Sequence, residues 1–306
     1  MSVCFGQVKS SRCLPLLLAL MILHPGCGIR KETVKTSPAF LQAKTLQRQQ
    51  LLDLFETSCR QWDSILIRQL SMTFLAENRS QGKREKLPAT DGLLIITRQG
   101  DLRLQVQVPI LKSAALEIVA RKEAFKIWYP RKKTLYLGRM DDEALSVPDL
   151  EDPDGQAPRY NLSRLRPWHI TQTFFHSRQP GTAVVTHEED TATERFYVYE
   201  EISGAASTEP RLCQQLWLER SSLRIHRKRL FSEDGAVVSD ISYHGYPKAG
   251  ETAFPSEIRL RRPMEGYEVL FKLKKFELDA PVKDHMFEIR VPEDARIQEL
   301  GNSPAR

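Results

Sequence analysis

The sequence predicts an α+β fold, a strongly curved antiparallel sheet covered by a long N-terminal helix and a shorter mid-chain helix. Three observations predict it. Ten or more short apolar segments follow one another at hairpin spacing. A stretch without internal glycine or proline, from Pro38 to about Asp63, precedes them and repeats apolar residues at helical spacing. The best-patterned strand segment is apolar on one side only, so the sheet needs a cover, and two helical segments are available to supply it.

The chain has 306 residues, 41% of them hydrophobic and 27% charged, enough for one large globular domain and too apolar for wholesale disorder. Its start has three parts. Lys9 and Arg12 form a basic region, Leu14 to Leu23 an apolar core, and His24-Pro25-Gly26-Cys27-Gly28 a closing segment. A core of this length suits a secretory signal peptide and is short for a membrane span; an anchor helix is the alternative. Loss of Lys9 and Arg12 would lower the net charge from +6 to +4. So mild an excess, spread along the chain, excludes nothing but gives no sign of nucleic-acid binding.

Cys4 and Cys13 leave with such a peptide. Cys59 and Cys213 remain, either paired as a disulfide or as two separate thiols; spacing alone cannot join them.

Residues 28–37 read as a polar tether. Ser37 and Pro38 then open the long helix as N-cap and first helical residue, with Leu51, Leu54, Phe55 and Trp62 on its apolar side. Strands begin at Ile65. Leu93 to Ile96 leads into a tight turn at Gln99-Gly100-Asp101, and Leu102 to Val108 then alternates strictly between apolar and polar. Leu116–Ala120, Phe125–Tyr129 and Thr134–Leu137 continue the series, with a turn at 130–133. Met140 to Pro158 is acidic and proline-rich without the ligand spacing of a calcium loop, so a solvated loop is expected. A second helix spans about 161–176, with Trp168, Ile170, Phe174 and Phe175 inside.

Strands resume at Ala183 and run, through segments starting near Arg195, Gln214, Leu223, Val237 and Ser256, to Tyr267–Leu278. A short element at Met286–Ile289 closes the domain, and a tail is expected from Val291. The organisation is thus a signal peptide (1–26), a tether (27–37), one domain (38–290) made of a helix (38–63) and a sheet with an inserted helix (64–290), and a tail (291–306).

Several stretches carry a family resemblance. His24 to Gly28 resembles a bacterial lipobox, with Gly26 and Cys27 flanking the cut, although His24 stands where leucine is usual. Phe125-Lys126-Ile127-Trp128-Tyr129-Pro130 with Leu135-Tyr136-Leu137-Gly138, Leu165-Arg166-Pro167-Trp168-His169-Ile170, Ser239 to Tyr246, Phe254 to Ile258, Glu277 to Val282 and Phe287 to Ile289 occur in an order that resembles LolA/LolB-type proteins. The likeness is greatest to an acidobacterial-type group of envelope lipoproteins with that fold. It implies a half-open antiparallel barrel closed by helices and an apolar cavity for acyl chains. It also implies a lipid on Cys27, attachment to the outer membrane facing the periplasm, and a role in lipoprotein or lipid trafficking. The partners implied are the membrane, acyl chains or lipoproteins, and an envelope protein. The alternative is a structural or stress-sensing lipoprotein with a filled core that acts through protein contacts.

On this reading the cavity is lined by Leu104 and Val106, by Phe125, Ile127 and Tyr129, and by Val269, Phe271 and Leu273, with Trp168 and Phe175 on the lid. The family's lid arginine and protruding apolar loop residue match no motif position in this sequence. No nucleophile elbow, zinc-protease motif, phosphate loop or Cys-x-x-Cys is present, so neither an enzyme nor a cofactor is expected. His187 to Asp190 reads as a solvated turn, and Leu223 to Arg229 as a strand with a basic wet face, solvated or, as the alternative, set against anionic headgroups.

Overall fold

In the computed structural model, the residues described are 43–78, 83–107, 114–140, 165–191, 193–204, 209–247 and 254–300. They all belong to a compact unit, Leu41–Arg306. The lipobox with Cys27, the tether, Ser37-Pro38 and the acidic loop after Met140 lie outside them.

Among the described residues, fifteen strands form one sheet. β1 (Ser64–Asn78) lies at its centre, between β3 (Thr90–Thr97) and β14 (Tyr267–Leu278). From β3 the sheet runs through β4 (Leu102–Gln107), β5 (Ala114–Arg121) and β6 (Ala124–Tyr129) to β7 (Thr134–Arg139). From β14 it runs back through β13 (Glu257–Arg262), β12 (Val237–His244), β11 (Ile225–Phe231), β10 (Arg211–Glu219) and β9 (Arg195–Ser203) to an edge at β8 (Ala183–Asp190). β2 (Lys83–Lys86) pairs with β1 alone. Every pairing is antiparallel but one. β15 (Arg296–Glu299) joins β7 in parallel, so a strand stands where the sequence suggests a tail.

β1 shows how the sequence sets the faces. Ile65 and Ile67 point to the core, but the next core residues are Leu70, Met72 and Phe74, one place out of step. The register shifts at Arg68 and Gln69, both exposed. A bulge there inserts one residue, so the apolar set stays on one face across the bend. Gly138 answers a different need. A side chain at this position would bring its Cβ to 2.4 Å from the ring of Phe125, its partner across β6 and β7.

The core face carries one continuous cluster from β7 to β9, and two helices cover it. α1 (Arg48–Arg60) buries Leu51 and Phe55, one turn apart, and Phe55 stacks on Tyr199 of β9 at 3.7 Å. It is shorter than the sequence suggests. Residues 43–47 are extended because the Lys44 amide donates to the Arg220 carbonyl and the Tyr197 hydroxyl bridges the Lys44 carbonyl and the Leu46 amide. α2 (Pro167–Phe174) is shorter than the span of about 161–176 expected from sequence; it starts at Pro167, a residue suited to the first helical position, and buries Ile170 and Phe174. Residues 165 and 166 before it are not helical. The outer face has smaller apolar groups, one of them Leu66, Ile95 and Val119 under Phe287 of the 3-10 turn Asp284–Phe287.

Candidate functional site

The lining residues expected from sequence all reach the core face. Leu104, Val106, Phe125, Ile127, Val269, Phe271 and Leu273 are buried there, and Tyr129 packs against the same cluster. Of the two lid residues, Trp168 stands edge-on to Phe125 at 6.5 Å, whereas Phe175 is buried just past the end of α2 beneath the Arg98 guanidinium; it is the neighbouring Phe174 that stands edge-on to Phe271, at 5.6 Å. Tyr129 lies perpendicular to Tyr136 at 5.8 Å; its hydroxyl is buried without a hydrogen-bond partner, and burial pushes its pKa up. Sheet and helices are thus closed on one another, with the apolar faces filling the space.

What fastens the helices is polar, and sequence reasoning missed it. Lys228 of β11 belongs by sequence to a basic wet face, yet it points to the core and is 2% exposed. A bulge in β11 puts it there: Ile225 and Arg227 face the adjacent residues Leu218 and Trp217 of β10, which leaves His226 as the extra residue. The Lys228 ammonium donates to the carbonyls of Gln172 and Phe175, at 3.0 and 3.1 Å. These carbonyls at the end of α2 lack intrahelical partners, and a cation there also complements the helix dipole. Burial lowers the Lys228 pKa to about 8.

Arg98 does the same for α1. It follows β3 and donates to the carbonyls of Cys59 and Trp62 at the end of that helix, while its guanidinium lies 5.1 Å from the centre of the Phe175 ring. One side chain therefore touches both covering helices. In the sequence it was hidden beside an ordinary turn signal. Tyr243 adds a hydrogen bond to the Thr173 carbonyl at 3.0 Å, and Tyr267 meets His169 Nδ1 at 2.6 Å. His169 is neutral: burial first, then Arg262 and Arg166, lower its pKa to about 2. Glu265, 3.8 Å from its Nε2, is engaged by Arg262.

A cavity of about 80 Å³ opens where the ends of the two helices meet β11 to β13. Ser58, Trp62 and Arg98 line one side, Phe174, Phe175 and His176 another. Arg224, Tyr246 and Phe254 complete it with Tyr243 and Ile258. Ligand pockets run to about 300–1,000 Å³, so this one holds a small group unless the helices move. Cys59, next to the lining residue Ser58, lies within electrostatic reach of Lys228 and Glu201. Burial raises the Cys59 thiol to about 11, and burial likewise raises Glu201, which accepts from the Gln179 amide at 3.1 Å. Cys59 and Cys213 are both free thiols.

The two remaining charged segments differ from their sequence reading. His187 to Asp190 is part of edge strand β8, not a turn; Glu188 pairs with Arg220, and Glu189 accepts from the Trp217 indole at 2.8 Å. Arg227 and Arg229 do face outward but are occupied, flanking the Trp217 ring and sharing Asp240.

No family model matches the chain, and no curated protein matches it. Solved structures do. The chain is similar to LolA-type proteins. One is a LolA superfamily protein from Nitrosomonas europaea, 14% identical over 80% of this chain and 99% of that one, with a TM-score of 0.47. A DUF1329 family protein from Desulfovibrio piger is 13% identical over 78% of this chain and 96% of its own, with a TM-score of 0.48. A putative outer membrane lipoprotein-sorting protein domain from Vibrio parahaemolyticus is 10% identical over 78% and 94%, with a TM-score of 0.45. Among the described residues, no helix is long and apolar enough to cross a membrane.

Proposed function

We propose that this chain is a cell-envelope protein, tethered through a lipid on Cys27, that takes up acyl chains between the core face of a half-open barrel and its two helices. In this reading it serves lipoprotein or lipid trafficking to the outer membrane and performs no catalysis. One observation carries the reading. The helices cover a continuous apolar face and are fastened to the sheet by side-chain hydrogen bonds from Arg98 and Lys228, so each can lift from it without unfolding the sheet. An apolar face exposed this way would favour an acyl chain by about 0.8 kcal/mol per buried CH2.

Native mass spectrometry of the full chain carrying Cys27→Ser, isolated from the periplasm without detergent, tests the reading. The expected spectrum shows added mass that organic extraction removes. A clean apo mass that stays apo after addition of phospholipid or an acyl peptide would overturn it. The close packing of the lining favours a second reading, a filled-core module acting through protein contacts, for which the edge of β8, beyond which no strand pairs among the described residues, offers a docking edge with Val185 43% exposed. A stoichiometric protein partner, captured whether or not lipid is present, would support that reading instead.

A further inference from the structure

The cavity at the helix ends has a charge that acyl-chain binding alone does not explain. Arg98 and Arg224 both line it. Arg224 is part-exposed, rests 5.1 Å from the centre of the Tyr246 ring and spends one N–H on the Pro247 carbonyl at 2.5 Å. Among the described residues it has no carboxylate within ion-pairing distance, although most arginines here do. The Nε of Arg98 is buried without a hydrogen-bond partner, 3.6 Å from the solvent-exposed Asp63 carboxylate. A third polar group, the Nδ1 of His176, is also buried and unpartnered on the cavity wall. Burial, then Lys228 and Arg98, keep that imidazole neutral. Among the described residues, no acidic side chain lines the cavity.

The apolar side of the same cavity leads into the core. Ile258 lies beside Phe271 across β13 and β14, and Phe174 meets Phe271 from above. A chain entering here would run beneath α2 along the lining already described. We propose that this cavity is the headgroup site of the acyl-chain ligand, holding an anionic oxygen group, carboxylate or phosphate, between Arg224 and Arg98 with His176 Nδ1 as a neutral donor. The proposal rests on the acyl-chain reading and narrows it to anionic amphiphiles. Two facts agree with it. A volume of about 80 Å³ suits a compact oxyanion, and buried polar groups are normally satisfied, so Arg98 Nε and His176 Nδ1, buried without partners on two sides of the cavity, are donors such a group could engage. Arginine is the side chain suited to carboxylate and phosphate geometry.

The test compares cis-parinaric acid with its methyl ester by fluorescence, using the full chain with Cys27→Ser and the same chain with Arg224→Gln or Arg224→Lys added. The acid is expected to bind at least tenfold more tightly than the ester. Arg224→Gln should remove that preference and leave ester affinity unchanged, whereas Arg224→Lys should keep part of it. Equal binding of acid and ester would overturn the headgroup site while leaving the cavity standing. Binding of neither would sink the cavity and the headgroup site together. Loss of the preference on adding inorganic phosphate at the probe's own concentration would reveal a free-anion pocket and overturn recognition of an amphiphile. Palmitate and lysophosphatidate, used as competitors, distinguish carboxylate from phosphate.

Discussion

Lys228 is a charge buried in the core, 2% exposed, and its titration should be visible in the stability of the whole domain. Its pKa is lowered from 10.5 to about 8 by burial, so the folded chain loses this proton at lower pH than the unfolded chain does. Below about pH 8 both states hold the proton, and the fold bears the full difference of roughly 3 kcal/mol. Between about 8 and 10.5 the unfolded state binds more protons, so the Lys228 contribution to stability rises with pH. From pH 7 to 9.5 the gain is about 2 kcal/mol by that linkage. Cys59 titrates in the opposite sense, since its pKa is raised to about 11, but its thiol stays protonated in the fold over this range with or without Lys228. The assay is urea unfolding of the parent and Lys228→Met at both pH values. The difference between the two proteins should shift in favour of the parent by about 2 kcal/mol on going to pH 9.5. A shift below about 0.5 kcal/mol, or one of opposite sign, would mean that Lys228 is hydrated and does not hold the end of α2.

His169, whose pKa falls from 6.5 to about 2, should weaken the fold on acidification, because only the unfolded chain gains its proton. At pH 5 the loss is about 2 kcal/mol relative to neutral pH, and His169→Gln should show a smaller loss in the same titration. Gly138→Ala forces a methyl against the Phe125 ring, so it should cost about 1–3 kcal/mol in thermal or urea unfolding. An unchanged midpoint would show that Phe125 has room to move.

Most of the sheet can be read directly from the sequence, and the reason is local. Leu102 to Gln107 alternates so regularly that its buried pattern follows residue by residue, and Tyr267–Leu278 begins and ends where its apolar and turn residues place it. The lining follows from the same alternation. The bounds of α1 do not, because the hydrogen bonds that keep residues 43–47 extended come from Tyr197 and Arg220, about 150 residues away or more. β15 was missed for a similar reason: a four-residue edge strand with Ile297 exposed has no apolar face to announce it. The polar fastenings were least legible of all. Lys228 and Arg98 look like surface cations in sequence, and only a bulge and a turn aim them at helix carbonyls.

The closed packing and the proposed ligand can be weighed against each other, and the comparison predicts a chain-length threshold. Lifting α2 exposes chiefly Ile170, Phe174 and Phe175, and lifting α1 exposes Leu51 and Phe55. At about 1.5–3 kcal/mol for each side chain, the costs are roughly 5–9 and 3–6 kcal/mol. An acyl chain of four methylenes returns only about 3 kcal/mol, less than the cost of lifting α2, whereas sixteen return about 13, comparable with the cost of lifting both helices. Saturated fatty acids of increasing length should therefore fail to displace a bound fluorescent acyl probe until about ten carbons, and then gain affinity steeply. Hexanoate competing as well as palmitate would show that no packed face is being exchanged. The core would then be filled in function as well as in structure, and the edge of β8 would become the place to look.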